Sequence, residues 1–212
     1  MENNNNRPKS LFTYGNHKLP KTWAIWTLPA VKTCPGCKIA GCASICYARK
    51  SERQYPQVLP SRETKLTFSK SEGFENAMVE QICKDFHKGK IDTVRIHESG
   101  DFYSVLYIYK WVEIINRVNA VCRGGVRFLA YTKTHLTRNN ELIFALADLA
   151  SLDNMHLMLS TWEGQGLIPE ALKHLPVADA GKDNTFNLPV CKGNCASCNL
   201  CFEGKGAFLA FH

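Results

Sequence analysis

The sequence predicts an α/β fold, a small or incomplete (β/α) barrel with parallel strands and two cysteine-rich loops. Two observations predict it. Short runs of β-branched and aromatic residues alternate with longer segments whose apolar residues recur at helical spacing, and strands separated by helices pair in parallel. Of the ten cysteines, eight fall in two clusters, Cys34–Cys46 and Cys191–Cys201. Each cluster follows a predicted strand, the place where parallel α/β folds keep their ligand sites.

The elements follow in chain order. Residues 1–20 read as a flexible N-terminal segment, polar over its first ten positions. Residues 21–212 read as one domain, a length sufficient for a sizeable core. Thr22–Leu28 has strand composition and is stopped by Pro29. The loop after it carries Cys34, Cys37, Cys42 and Cys46 among Pro35, Gly36 and Gly41. Arg49, Lys50, Arg53, Arg62 and Lys65 then read as a solvated helix face. Ser69 and Glu72 form a capping-box pattern before a helix marked by Phe74, Met78, Ile82 and Phe86 and ended by Gly89.

Three strand–helix units come next. Val94–His97 precedes a helix with the stripe Ile108, Trp111, Val112, Ile115 and Val118. Val126–Tyr131 precedes a helix over Glu141–Ala150, capped by Asn139 or Asn140. Met155–Ser160 precedes a short helix around Pro169 to Leu175. Pro176–Ala178 and Ala207–Phe211 read as closing strands. Cys83 lies inside its helix and reads as core, and neither it nor Cys122 has a neighbouring cysteine in the sequence.

The second cluster has the spacing C-x3-C-x2-C-x2-C, Cys191, Cys195, Cys198 and Cys201. Two residues between thiolates suit two sulfurs reaching one metal through a tight turn, and the run resembles the bacterial ferredoxin run in reverse order. The alternative is a set of buried thiols or disulfides, which rarely fall so close together. The first cluster is less regular. All four of its cysteines could ligate metal, or one or two could be packing residues. The chain shows no apolar run long enough to span a bilayer and no signal-peptide core, so a cytoplasmic protein is expected, with no membrane partner. In a reducing compartment cysteines favour metal over disulfides. The net charge of +7 permits nucleic-acid contact, but the basic residues are dispersed and do not indicate it.

The predicted strand ends place His97–Phe102, Tyr131–His135 and Ser160–Glu163 at one mouth of the fold. Glu98, Asp101 and Lys133 are the candidates for acid, base or anion-binding roles. Ser99, Gly100 and Tyr131 are candidates for ligand contact, with the glycine admitting a close backbone approach. The alternative roles are helix capping for Asp101 and Ser104, and solvation for Lys133. His97 reads as a packed strand histidine. If both cysteine loops open at the same end, they converge on this mouth, and Lys133 is expected beside one of the carboxylates.

Cys34-Pro-Gly, Cys42-x3-Cys46-Tyr47-Ala48, Arg95–Phe102, Tyr131-Thr-Lys133 and Cys195-Ala-Ser-Cys198-Asn-Leu-Cys201-Phe202 together resemble the bacteriophage gene-product-eighty-eight-like family. The resemblance runs from Trp23 to Phe202 and implies a phage or prophage protein working in the host cytoplasm. A more distant resemblance is to radical S-adenosylmethionine enzymes, which are (β/α) barrels with a 4Fe–4S cluster on C-x3-C-x2-C. Cys191, Cys195 and Cys198 have that spacing. They stand at the wrong end of the chain, Ser197 replaces the expected aromatic, and Cys201 would fill the open iron, so only architecture is implied. One or two 4Fe–4S clusters are the expected cofactors, with zinc as the alternative. The expected function is redox or catalytic, with a small-molecule substrate or redox partner. The competing functions are a zinc-stabilised module for nucleic acid or a host protein, and a sulfur-transfer enzyme.

Overall fold

The computed structural model describes residues 7–161 and 167–209. Among these residues, seven strands lie side by side in sequence order. They are β1 (Thr13–Tyr14), β2 (Trp23–Trp26), β3 (Thr93–Ile96), β4 (Arg127–Thr132), β5 (Met155–Thr161), β6 (Val177–Asp179) and β7 (Ala207–Phe208). β1 runs antiparallel to β2, and every later pair is parallel. Five α-helices are described: α1 (Tyr47–Gln54), α2 (Val58–Ser69), α3 (Phe74–His87), α4 (Val105–Cys122) and α5 (Asn140–Ala150).

The alternation of strands and helices is as expected, and the barrel is corrected: the sheet is open. Its edge strands β1 and β7 have two residues each, too few to build the staggered ladder that closes a barrel. The strand order never reverses. Right-handed crossovers then put all the connecting helices on one face. Ala24, Trp26, Val94, Ile96, Phe128, Ala130, Leu157 and Leu159 of that face are buried with Phe74, Met78, Ile82, Ile108, Trp111, Ile115 and Leu146 of the helices. Each large side chain buried here contributes about 1.5–3 kcal/mol.

Among the described residues, the second face has no α-helical layer. Trp23, Leu129, Met158, Ala178 and Ala207 form a small core there, covered by Cys191, Cys195, Cys201, Phe202 and Leu209. The C-terminal cysteine segment is therefore the roof of this face. Residues 11–20, expected in the flexible segment, contribute β1 and bury Leu11 and Phe12.

Local signals fared unevenly. Ser104 caps α4, accepting the Tyr107 N–H at 3.2 Å, and Asn139 caps α5, accepting that of Leu142 at 3.0 Å. The capping box fails. Ser69 closes α2 instead, its hydroxyl donating to the Leu66 carbonyl, and Gly73 precedes α3 with no side-chain cap. The short helix near Pro169 is a 3₁₀ turn, Glu170–Leu172. The last strand is seen over Ala207–Phe208, and the remainder of Ala207–Phe211 lies partly outside the described residues.

Arg62 and Lys65, expected in water, are buried. Arg62 pairs with Glu52 at 2.8 Å. Lys65 lies 5.3 Å from the Trp26 ring centroid, and burial, reinforced by Arg62, pushes its pKa down to about 8. Between pH 8 and 10.5 unfolding takes up a proton at this lysine, so its contribution to stability rises with pH across that window. Below pH 8 both states are charged, and the buried ammonium costs roughly 3 kcal/mol relative to its neutral form. Lys65→Met is expected to stabilise the protein by about 1–3 kcal/mol at pH 7. It should also remove this pH-dependent rise, as read from urea midpoints at pH 7 and pH 10.

Candidate metal centre

The exit of β2 builds the first cysteine group. Leu28 N–H donates to the Ser99 carbonyl at 2.8 Å, and Ser99 Oγ donates back to the Leu28 carbonyl at 2.9 Å. The Thr33 hydroxyl closes the turn on the Pro29 carbonyl at 2.7 Å, and Asp101 N–H donates to the Thr33 carbonyl at 3.1 Å. Pro35–Cys37 then forms a 3₁₀ turn, its Cys37 N–H on the Cys34 carbonyl at 3.1 Å. At Gly36 the turn lies against the main chain of Lys133: a Cβ there would stand 2.0 Å from the Lys133 carbonyl oxygen. Cys46 precedes α1, and the Tyr47 hydroxyl donates to the Glu98 carbonyl, tying α1 to the β3 exit.

The second group is anchored to the opposite sheet face. Cys191 N–H donates to the Phe208 carbonyl at 2.8 Å, and Cys195 N–H to the Lys18 carbonyl at 3.0 Å. The Phe202 ring packs edge-on against Trp23 and His156, with centroids 5.6 and 4.9 Å apart, and lies 4.2 Å from the Arg127 guanidinium. The Tyr131 hydroxyl is 2.7 Å from Cys201 Sγ.

One cavity of about 580 Å3 separates the groups. Cys34, Cys37, Cys42 and Cys46 all line it, and Cys191 and Cys195 line it from the other side. Cys198 and Cys201 are not among its lining residues. Glu98, Ser99, Gly100, Asp101, Tyr131 and Lys133 also line it, so the predicted strand-end residues and both cysteine groups do meet at one mouth. Trp162 and Glu163 lie outside the described residues.

All ten cysteines are free. Burial pushes the Cys34 thiol well above its usual range, helped by the charges of Asp101, Cys37 and Cys46. Burial also raises Cys42, Cys201 and, to about 11, Cys195. Cys195 feels Cys201, Cys191 and Cys198 in turn. Within each group the sulfurs feel one another's charge, and a cation placed among them would reverse the penalty on their thiolates. The donors suit soft metals, including iron–sulfur clusters and zinc. Among the described residues, no three Cys, His, Asp or Glu side chains are gathered tightly enough to hold an ion as they stand.

The polar candidates are held differently from one another. Asp101 is buried and does not cap α4. Its oxygens accept from Phe102 N–H at 2.7 Å, the Thr132 hydroxyl at 2.7 Å and Lys133 N–H at 2.8 Å. Lys133 thus meets a carboxylate through its main chain, while its Nζ donates to Ser160 Oγ at 2.7 Å. Burial pushes the Lys133 pKa down to about 8, against the charges of Cys42, Asp101 and Asp179. Glu98 accepts from Asn16 Nδ2 at 2.6 Å. Gly100, expected to admit a ligand, has φ +86°, and a Cβ there would stand 2.6 Å from both Leu28 Cβ and Thr33 Oγ1. Its close approach is to the start of the cysteine loop. His97 is a packed histidine, its Nε2 2.9 Å from the Tyr107 hydroxyl.

Sequence reasoning missed Arg95. It lines the cavity, and its guanidinium stacks 3.9 Å from the Tyr131 ring centroid. The available signal was a lone arginine between two apolar residues of a parallel strand.

A model of the family described as Gene product 88 matches residues 2–185. The chain belongs to this family. The matched span holds the first cysteine group, Arg95, Glu98, Asp101 and Lys133, and ends before Cys191. The chain is also similar to the Gene 88 protein of Mycobacterium phage D29, 27% identical over 84% of this chain and 81% of that one. No solved structure matches. No described helix is long and apolar enough to cross a membrane.

Proposed function

We propose that this phage-family protein binds iron–sulfur clusters and works as a redox or catalytic protein in the host cytoplasm, with its chemistry in the cavity between the two cysteine groups. The observation that carries this reading is the arrangement itself: two sets of four free thiols, with all four of the first set and Cys191 and Cys195 of the second lining one cavity together with charged strand-end residues. Cys34, Cys37, Cys42 and Cys46 would hold one cluster, and Cys191, Cys195, Cys198 and Cys201 another. Such clusters, of the 4Fe–4S type, supply one-electron chemistry when bound. Around them, Arg95 and Lys133 put positive charge on the cavity wall, Asp101 holds the β4 exit against the first loop, and Tyr131 contacts the second group through Cys201.

Zinc is the competing metal. A structural zinc site is closed on itself and needs no adjoining cavity, whereas these groups border about 580 Å3 of space. Anaerobic purification separates the two readings. The expected product is brown, with iron and acid-labile sulfide in comparable amounts. A colourless protein carrying zinc without sulfide would replace this reading with the binding module.

A further inference from the structure

Arg95 stands on the second face of β3 between Val94 and Ile96, both fully buried. Its guanidinium plane is set by the Tyr131 ring, and the Tyr131 hydroxyl is held in turn by Cys201. Its Nη1 is buried and has no hydrogen-bond partner among the described residues. A buried charged donor with no acceptor is more costly than a neutral one. Lys133 projects into the same cavity, its Nζ positioned by Ser160.

The two carboxylates on the cavity wall do not meet this need. Glu98 takes Asn16, and Asp101 takes Thr132 and two main-chain N–H groups. A guanidinium fork and an ammonium lining one cavity offer matching donors to the oxygens of a carboxylate or phosphate. The remaining space is large enough for a small metabolite.

We propose that Arg95 and Lys133 form the binding site for the oxyanion group, carboxylate or phosphate, of a small ligand occupying the cavity between the cysteine groups. This names the substrate class of the proposed function and rests on that reading for the ligand's role, while the binding itself is measured independently.

The test titrates the anaerobically purified protein with malonate and, separately, with inorganic phosphate at constant ionic strength. Binding is read by calorimetry, with iron, sulfide and Tm measured on every sample. Saturable binding of one of the two is expected. Preference for malonate assigns a carboxylate, and preference for phosphate assigns a phosphoryl group. Arg95→Lys keeps the charge and loses the fork, and should weaken binding about tenfold or more at unchanged iron, sulfide and Tm. Lys133→Met should weaken it comparably. Binding of neither probe by the wild-type protein would overturn the proposal, as would wild-type affinity in both variants. Loss of iron and sulfide on Arg95→Lys would also overturn it, because Arg95 would then serve the cluster. A wild-type protein that binds the probe yet contains no iron or sulfide would sink the iron–sulfur reading and leave the oxyanion site standing.

Discussion

Gly36→Ala is expected to undock the first cysteine group. Gly36 is buried in the turn between Cys34 and Cys37. An added Cβ would stand 2.0 Å from the Lys133 carbonyl oxygen and 2.8 Å from its carbonyl carbon. Both obstacles are main chain, and Lys133 is itself pinned through its N–H to Asp101. Neither side can yield by turning a side chain, so the loop must leave the β4 exit. A destabilisation of ~3 kcal/mol or more is expected, together with loss of metal from this group. Gly73→Ala is the control. It has nothing within 4 Å and no positive φ, and it should leave the thermal midpoint near that of the wild-type protein. A Gly36→Ala protein with unchanged Tm and iron would contradict the packing described for the loop.

Asp101→Ala is expected to be the most damaging change among the polar candidates. It leaves the Thr132 hydroxyl and the N–H groups of Phe102 and Lys133 without their acceptor in a buried site. Each unmet donor costs about 1–3 kcal/mol, so a loss on the order of 3–5 kcal/mol in urea unfolding is expected. Asp101→Asn keeps the volume and one acceptor oxygen, and should fall between the two. A stable Asp101→Ala protein would mean that the carboxylate does not hold the β3 and β4 exits together.

These two residues show where sequence reading stops. Strand–helix alternation was legible because it is a local pattern, and so were the Asn139 and Ser104 caps. Closure of the sheet was not, because it depends on the length and stagger of the edge strands β1 and β7. Ser69 followed by Glu72 looks like a helix start, yet the Ser69 hydroxyl is already engaged with Leu66. Arg62 and Lys65 were unreadable because Glu52 and Trp26, the groups that receive them, meet them only through tertiary packing. The cysteine groups were legible from spacing, and their shared cavity followed from the strand-end rule for parallel sheets. Arg95 went unassigned because alternation along a strand accommodates a charge without saying what it faces. The second group, the most regular motif in the chain, lies beyond the span matched by the family.

The most direct test of two metal-binding cysteine groups on one cavity is iron and acid-labile sulfide per chain in anaerobically prepared variants. One variant carries Cys34→Ser with Cys46→Ser, and another carries Cys195→Ser with Cys198→Ser. Cys83→Ala with Cys122→Ala is the control, since that pair is buried between α3 and α4 with its sulfurs 3.4 Å apart. The account predicts that iron and sulfide fall together in each of the first two variants and hold in the third. Iron and sulfide unchanged in both of the first two would contradict it.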